Sequence, residues 1–384
     1  MIRQSTLGQV ATYINGRAFK PAEWETVGLP IIRIQNLTDG KAKCNYSSVQ
    51  HDPKFQVRNG DLLFAWSASL GAHIWRGGDA WLNQHIFRVV PHEGIDKMYL
   101  YYYLCNVVAE LYSKTHGSGM VHITKGPFMA TPIPVPILDE QKRIVAKIEE
   151  LFSELDNGVD TLRKTKQQLA VYRQAVLKDA FTGLDSFITL QSICERIFDG
   201  PFGSNLKTAD YTTSGIRVVR LENLKDGWFD DSKQSFVTQE KYDTISSHTV
   251  YPTDLIMSTF IADSIKVCQL PQYVGFAVNK ADCIGIRLNE HYTPQYVLYY
   301  LMTKTAYNAL VHKVHGATRP RVNTKQIKNI EIPVCDLETQ KKIIALIEAR
   351  LSVCDSIEKT VDTALQQAEA MRQSILKKAF EGRM

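Results

Sequence analysis

The sequence has no run of about eighteen apolar residues, the length a helix needs to cross a bilayer, so no membrane-spanning helix is expected. Its cysteines are few: Cys44, Cys105, Cys194, Cys268, Cys283, Cys335 and Cys354. Their number is odd and no two stand in a C-x-x-C spacing. That speaks against a disulfide framework or a zinc knuckle and predicts free, buried thiols in a reducing cytoplasm. The opening residues MIRQSTLGQV lack the apolar stretch of a secretion signal. No G-x-x-x-x-G-K-[ST] loop occurs, so nothing points to ATP hydrolysis by this chain. No N/D-P-P-Y/F stretch occurs either, the usual mark of methyl transfer to adenine. His312 and His315 stand at i, i+3 without a third ligand nearby, and no zinc site is expected there.

What is present is an ordinary globular balance: 384 residues, 44% hydrophobic and 22% charged. The length allows two or three domains, each with a real core. A net charge of +5 and a pI near 8.6 are compatible with a polyanionic partner without requiring one.

The decisive feature is that the chain repeats itself. Residues 133–144, I-P-V-P-I-L-D-E-Q-K-R-I, answer to 332–343, I-P-V-C-D-L-E-T-Q-K-K-I, at an offset of 199 set by Gln141 and Gln340. The same offset joins Gln174 to Lys178 with Gln373 to Lys377, Ala180 to Gly183 with Ala379 to Gly382, and His116-Gly117 with His315-Gly316. Upstream the offset drifts. Arg33 meets Arg220 at 187, Asp61 meets Asp254 at 193, and Leu104 meets Leu301 at 197. Insertions in loops of the second copy account for the drift. The period is too long for a solenoid, so a globular domain followed by a helix has been duplicated.

Each copy ends in a proline-bearing extended segment (Pro132, Pro134 and Pro136; then Pro333), and proline delays a helix start until it is passed. Asp139 is the expected N-cap of the first helix. Heptad spacing follows. Ile148, Leu155, Leu162, Leu169 and Val176 form one row of the first helix, and Ile347, Cys354, Val361, Ala368 and Ile375 the corresponding row of the second. A companion row is weaker, with Gly158 and Thr165 in the first helix and Arg350 in the second. Two rows on a heptad grid describe a coiled-coil seam. About 40 residues make a helix roughly 60 Å long, and an apolar stripe that long needs a partner, which the other copy supplies if the pair is antiparallel. A helix pair of this kind is expected to act as a ruler between the two domains.

A domain ending in P-V-P-x-L-x-E-Q, a helix opening with K-R-I, and A-F-x-G at its end, all twice, resembles the specificity subunits of Type I restriction-modification systems. The carriers are Pro134 to Ile144 with Ala180 to Gly183, and Pro333 to Ile343 with Ala379 to Gly382. The second copy departs from the pattern at Cys335 and Thr339. The resemblance spans essentially the whole chain. It implies an α+β fold: two similar α/β target recognition domains, 1–139 and 184–337, separated by a pair of long antiparallel coiled-coil helices, 140–183 and 338–384, in a pseudo-two-fold circular arrangement. It further implies a bipartite duplex DNA target, two methyltransferase subunits gripping the helices, and restriction subunits joining them. No cofactor is expected in this chain; S-adenosylmethionine would sit on the methyltransferase partner and ATP on the restriction partner. A DNA-binding adaptor of another machine, or a coiled-coil scaffold whose domains bind protein, is the competing reading. Glu140-Gln141-Lys142 has the E-x-K form of a metal-dependent nuclease. Its counterpart Thr339-Gln340-Lys341 lacks the carboxylate, so a charged helix start is the better reading, and no catalytic residue is expected.

Base edges are read by polar side chains that reach into a groove. Three places in each copy concentrate them. Arg33 and Asn36 answer to Arg220 and Asn223, either as DNA contacts or as ties between a strand end and a turn. Asn83, Gln84 and His85 answer loosely to Asn279-Lys280, with Lys280 the candidate. His116, Ser118, His122 and Lys125 answer to His315, Thr318, Arg319, Arg321 and Lys325. This third pair has the glycine content and basicity of a loop that approaches phosphate. Tyr99, Tyr101, Tyr102 and Tyr103 read as helix core.

Overall fold

The computed structural model describes residues 2–39, 41–113, 123–311 and 321–383. The chain forms two compact units, Met1–Leu162 with Thr363–Met384, and Arg163–Asp362.

The first unit holds two four-stranded sheets. In one, Ala11–Asn15, Ile86–Pro91, Leu62–Ala65 and Gly71–Ile74 lie side by side in that order, all antiparallel. The other runs Asn45–Ser47, Leu29–Ile32, Ala80–Leu82 and Gln56–Val57, with one parallel pair, Leu29–Ile32 on Ala80–Leu82. Strand Leu62–Ala65 is buried on both faces and reads as a continuous apolar run. Helix Lys97–Ser113 packs onto the first sheet through Tyr99, Leu100, Leu104, Val107 and Leu111.

The second unit repeats the plan. Cys194–Phe198, Cys283–Leu288, Leu255–Ile261 and Ile265–Gln269 form the antiparallel sheet, in the same order. Phe236–Val237, Ile216–Val219, Ala277–Asn279 and Thr249–Val250 form the mixed one, again with its single parallel pair second and third. Two shorter helices, Pro294–Leu301 and Lys304–Val311, occupy the chain positions of the long one.

A two-stranded ribbon ties the start of each domain to its end: Arg3–Thr6 with Pro132–Val135, and Phe187–Thr189 with Glu331–Pro333. Proline cannot donate to a ladder, but its carbonyl still needs a partner. The tyrosines supply it. Tyr99 donates to the Pro134 carbonyl at 2.7 Å, Tyr103 to that of Pro132, and Tyr296 to that of Pro333 at 3.0 Å. Burial drives the Tyr103 phenol up to about 12, so it remains a donor at any ordinary pH.

The two long helices are Leu138–Ala180 and Leu337–Phe380, of 43 and 44 residues. The first begins one residue before the expected cap, so Asp139 lies inside its first turn, and no side-chain cap precedes it. In the second copy Asp336 is a true cap, accepting from the Thr339 N–H at 2.7 Å, which holds its carboxyl below the usual carboxylate range. Both glutamines at the repeat register are fully buried. Gln141 accepts from the Asp96 N–H and donates to the carbonyls of Gly94 and Pro136. Gln340 accepts from Thr293 and donates to the carbonyls of His291 and Cys335. Glu140 instead forms an exposed ion pair with Arg143.

Within each unit the helix segments pack antiparallel. In the second, Arg173 meets Asp355 at 2.7 Å, and one heptad away on each helix, in opposite directions, Lys166 meets Asp362 at 2.7 Å. In the first, Arg372 pairs with Asp156. Arg372 and Asp156 are the repeat counterparts of Arg173 and Asp355, so each helix gives the arginine once and the aspartate once.

Of the expected seam, Leu169, Val176, Ile347, Cys354, Val361 and Ala368 are buried, and Leu155, Leu162 and Ile375 partly so. Ile148 and Ile347 belong to the domain cores: Ile148 packs in the first with Leu376 and Ala379, and Ile347 in the second with Leu177 and Phe181. The weaker row is open to solvent at Tyr172, Ile357 and Met371. All seven cysteines are unpaired, but only Cys268, Cys283 and Cys354 are buried, the other four being half-buried. No helix among the described residues is long and apolar enough to cross a membrane.

Candidate nucleic-acid interface

The first candidate cluster serves mainly the fold. Asn36 accepts from the Arg33 N–H at 3.0 Å and donates to the Ala42 carbonyl at 3.2 Å. Asn223 does the same with the Arg220 N–H, at 2.9 Å, and donates to the carbonyls of Asp230 and Lys233. At 1% exposed, Asn223 reaches no ligand and closes the loop that follows its strand. The arginines stay at the surface. Arg33 lies over Trp24, and Arg220 over Tyr211 with ion pairing to Glu222.

The second cluster sits where the two sheets of each domain meet. The chain leaves the parallel strand of the mixed sheet and turns into the antiparallel sheet. Asn83 donates its N–H to the Ile32 carbonyl and Lys280 to that of Val219. Asn83 therefore corresponds to Lys280, one residue beyond the Asn83–Asn279 match read from the sequence; Asn279 itself is buried. The backbone of Asn83 and of Lys280 presses against glycine. A Cβ on Gly16 would lie 1.9 Å from the Asn83 oxygen, and one on Gly200 2.1 Å from the Lys280 carbonyl carbon. Lys280 is held by the Tyr211 hydroxyl at 2.8 Å, while Gln84 is exposed.

Two residues on, His85 and Asp282 correspond. Each accepts on its carbonyl from the antiparallel strand end, from the N–H of Trp66 and of Thr259. Those residues in turn accept from the N–H groups of Ile123 and Val322, which lie within the third candidate cluster. His122 and Arg321 are thus equivalent positions, and Lys125 corresponds to Thr324 rather than to Lys325.

The side chains on this shared frame differ between copies. In the first, Trp66 lies 4.9 Å from the His85 ring and donates to Asn15 at 3.0 Å. In the second, Arg321 pairs with Asp282 and lies 5.3 Å over Phe260. Asp282 also accepts from the Thr259 hydroxyl at 3.2 Å. Asp199, the counterpart of Asn15, accepts from the N–H groups of Gly200 and Asp282. Burial raises the Asp199 carboxyl above its usual range, against the opposing pull of the Gly200 N–H and Arg321.

Arg321, Lys125 and Lys325 are exposed. His116, Ser118, His122, His315, Thr318 and Arg319 lie outside the described residues, as does the His312–His315 pair. Sequence reasoning overlooked Asn15, Trp66, Asp199 and Asp282. Asn15-Gly16, at the end of strand Ala11–Asn15, and Asp199-Gly200, just after strand Cys194–Phe198, are the signal that marks the corner.

Two copies of one two-sheet domain, alike in frame and unlike in the polar groups at one corner, define a duplicated recognition protein. Comparison with known proteins identifies which. The Type I restriction modification DNA specificity domain matches residues 3–169 and again 202–367, and the chain belongs to that family. The EcoBI specificity subunit of a Type I restriction enzyme from Escherichia coli is 26% identical over 409 residues, covering 99% of this chain and 85% of that protein. The MjaVIII specificity subunit from Methanocaldococcus jannaschii is 24% identical over 409 residues, covering 98% and 92%. A chain solved in work on complex assembly and conformational transition of the type I R-M system has a TM-score of 0.69 at 18% identity, covering 100% of this chain and 98% of its own. The HsdS subunit from Thermoanaerobacter tengcongensis has a TM-score of 0.52 at 19% identity, covering 100% and 97%.

Proposed function

We propose that this specificity subunit reads a bipartite duplex DNA target, one half with each globular domain, and delivers it to enzymatic partners while performing no chemistry itself. The observation that carries this reading is the repeated frame with unlike corners. A single domain built twice from the same sheet orders can recognise two different short sequences only if its surface side chains differ, and at matched backbone positions they do.

Two methyltransferase subunits holding S-adenosylmethionine, and restriction subunits holding ATP, are the partners this reading calls for. The helices offer them a surface. Val171, Tyr172, Leu346, Val353 and Ile357 leave large apolar side chains exposed on helix faces, which a solvated coiled coil has no reason to carry. Grooves of about 370 Å³ beside Tyr172 and Arg350, and about 390 Å³ beside Gly158 and Met371, lie along the same helices.

The test is methylation of a random duplex library by the full chain with its methyltransferase partner and S-adenosylmethionine. The expected product is two fixed blocks with a fixed spacer, and no methylation by the pure chain alone. Methylation without sequence preference, or by the pure chain, contradicts the proposal.

A further inference from the structure

Three non-glycine residues among those described adopt positive φ: Ala68 at 59°, and His85 and Asp282 at 73° each. The last two are equivalent positions in the two copies. The left-handed conformation disfavours most side chains, although histidine and aspartate enter it more readily than others. Glycine would take it at no steric cost. Both copies nevertheless carry a polar side chain there, and not the same one. Such backbone persists where its surroundings over-determine it, which is characteristic of functional sites.

The neighbourhood points the same way. The His85 Nδ1 is buried without a hydrogen-bond partner among the described residues. A buried polar nitrogen in that state is costly unless a ligand completes it. In the second copy, Asp282 fixes the Arg321 guanidinium while half of that side chain, 51%, remains exposed. Phe260 supports it from one face. A carboxylate-braced arginine with free N–H groups matches the paired acceptors on the major-groove edge of guanine. The first copy has Trp66 and His85 instead, an imidazole beside an indole, and is suited to a different base.

We infer that the His85 corner and the Asp282–Arg321 corner determine specificity in their respective domains, with Arg321 reading a guanine and Asp282 positioning it. The inference rests on the proposed function, since it names where each half-site is read.

The experiment sequences duplexes selected from a randomised library by the full chain with its methyltransferase subunits. Three variants are compared with wild type: His85→Gly, Asp282→Gly and Arg321→Gln. Glycine keeps the backbone conformation, so the first two remove a side chain without forcing the turn. Arg321→Gln is expected to lower preference for guanine at one position of one block by about tenfold or more. Asp282→Gly should blur the same position, and His85→Gly one position of the other block. The rest of each profile and the spacer stay unchanged. Variants that select the wild-type sequences, or that lose affinity for all sequences alike, overturn the inference. A wild-type profile without two blocks overturns the proposed function instead.

Discussion

Gln141 and Gln340 show how a side chain can be central to a fold while looking ordinary in sequence. They fix the repeat register, yet Gln141 between Glu140 and Lys142, and Gln340 between Thr339 and Lys341, read as part of an exposed polar helix start. The structure buries them and uses each to join the helix start to the loop before the domain's helical layer. A buried amide with several partners is costly to remove, because the backbone groups it served are left unpaired. Gln141→Leu and Gln340→Leu are each expected to destabilise the protein by about 2–3 kcal/mol. Chemical denaturation measures this; a change within experimental error contradicts the staple role. Asn36 and Asn223 carry a related lesson. Their spacing from an arginine was legible, but whether the amide faces a base or its own loop depends on the turn that follows, which the sequence pattern does not specify.

At the scale of elements, heptad spacing made the long helices and their stronger row legible. The weak members of the companion row were legible too, since glycine, threonine and arginine pack poorly in a seam. Less visible was the sharing of the helix ends. Ile148 and Ile347 lie where the helix pair runs into the domain cores, each buried in its domain's core together with residues of the other helix, Leu376 and Ala379 for Ile148 and Leu177 for Ile347. Energy should follow burial rather than pattern. Leu169→Ala is expected to cost about 2–4 kcal/mol, as for other buried leucines. Met371→Ala, on the open row, should cost less than about 1 kcal/mol. The Arg372–Asp156 pair is solvent-accessible, and Asp156→Ala should also cost less than about 1 kcal/mol. Thermal and denaturant unfolding of the three variants checks the order; equal losses at Leu169 and Met371 would contradict the seam assignment.

For the whole molecule, duplication is the governing fact. It was legible because the second half restates the first at an offset that drifts only where loops grow. The domains' internal plan was less so. Short strands such as Gln56–Val57 and Phe236–Val237 are two residues long, and pairing between non-consecutive strands leaves no local signature. The corner that distinguishes the copies was hidden for the same reason: Asn15, Trp66 and His85 are far apart in sequence and meet only through sheet topology.

The central claim is that each domain reads its own half-site independently. The most direct measurement exchanges residues 1–139 for the equivalent domain of a relative with a different target, and maps every methylated site made by the chimera with its methyltransferase. The account predicts that one half of the recognised sequence changes to the relative's, while the other half and the spacer remain. A chimera that folds and methylates but alters both halves, or neither, contradicts it.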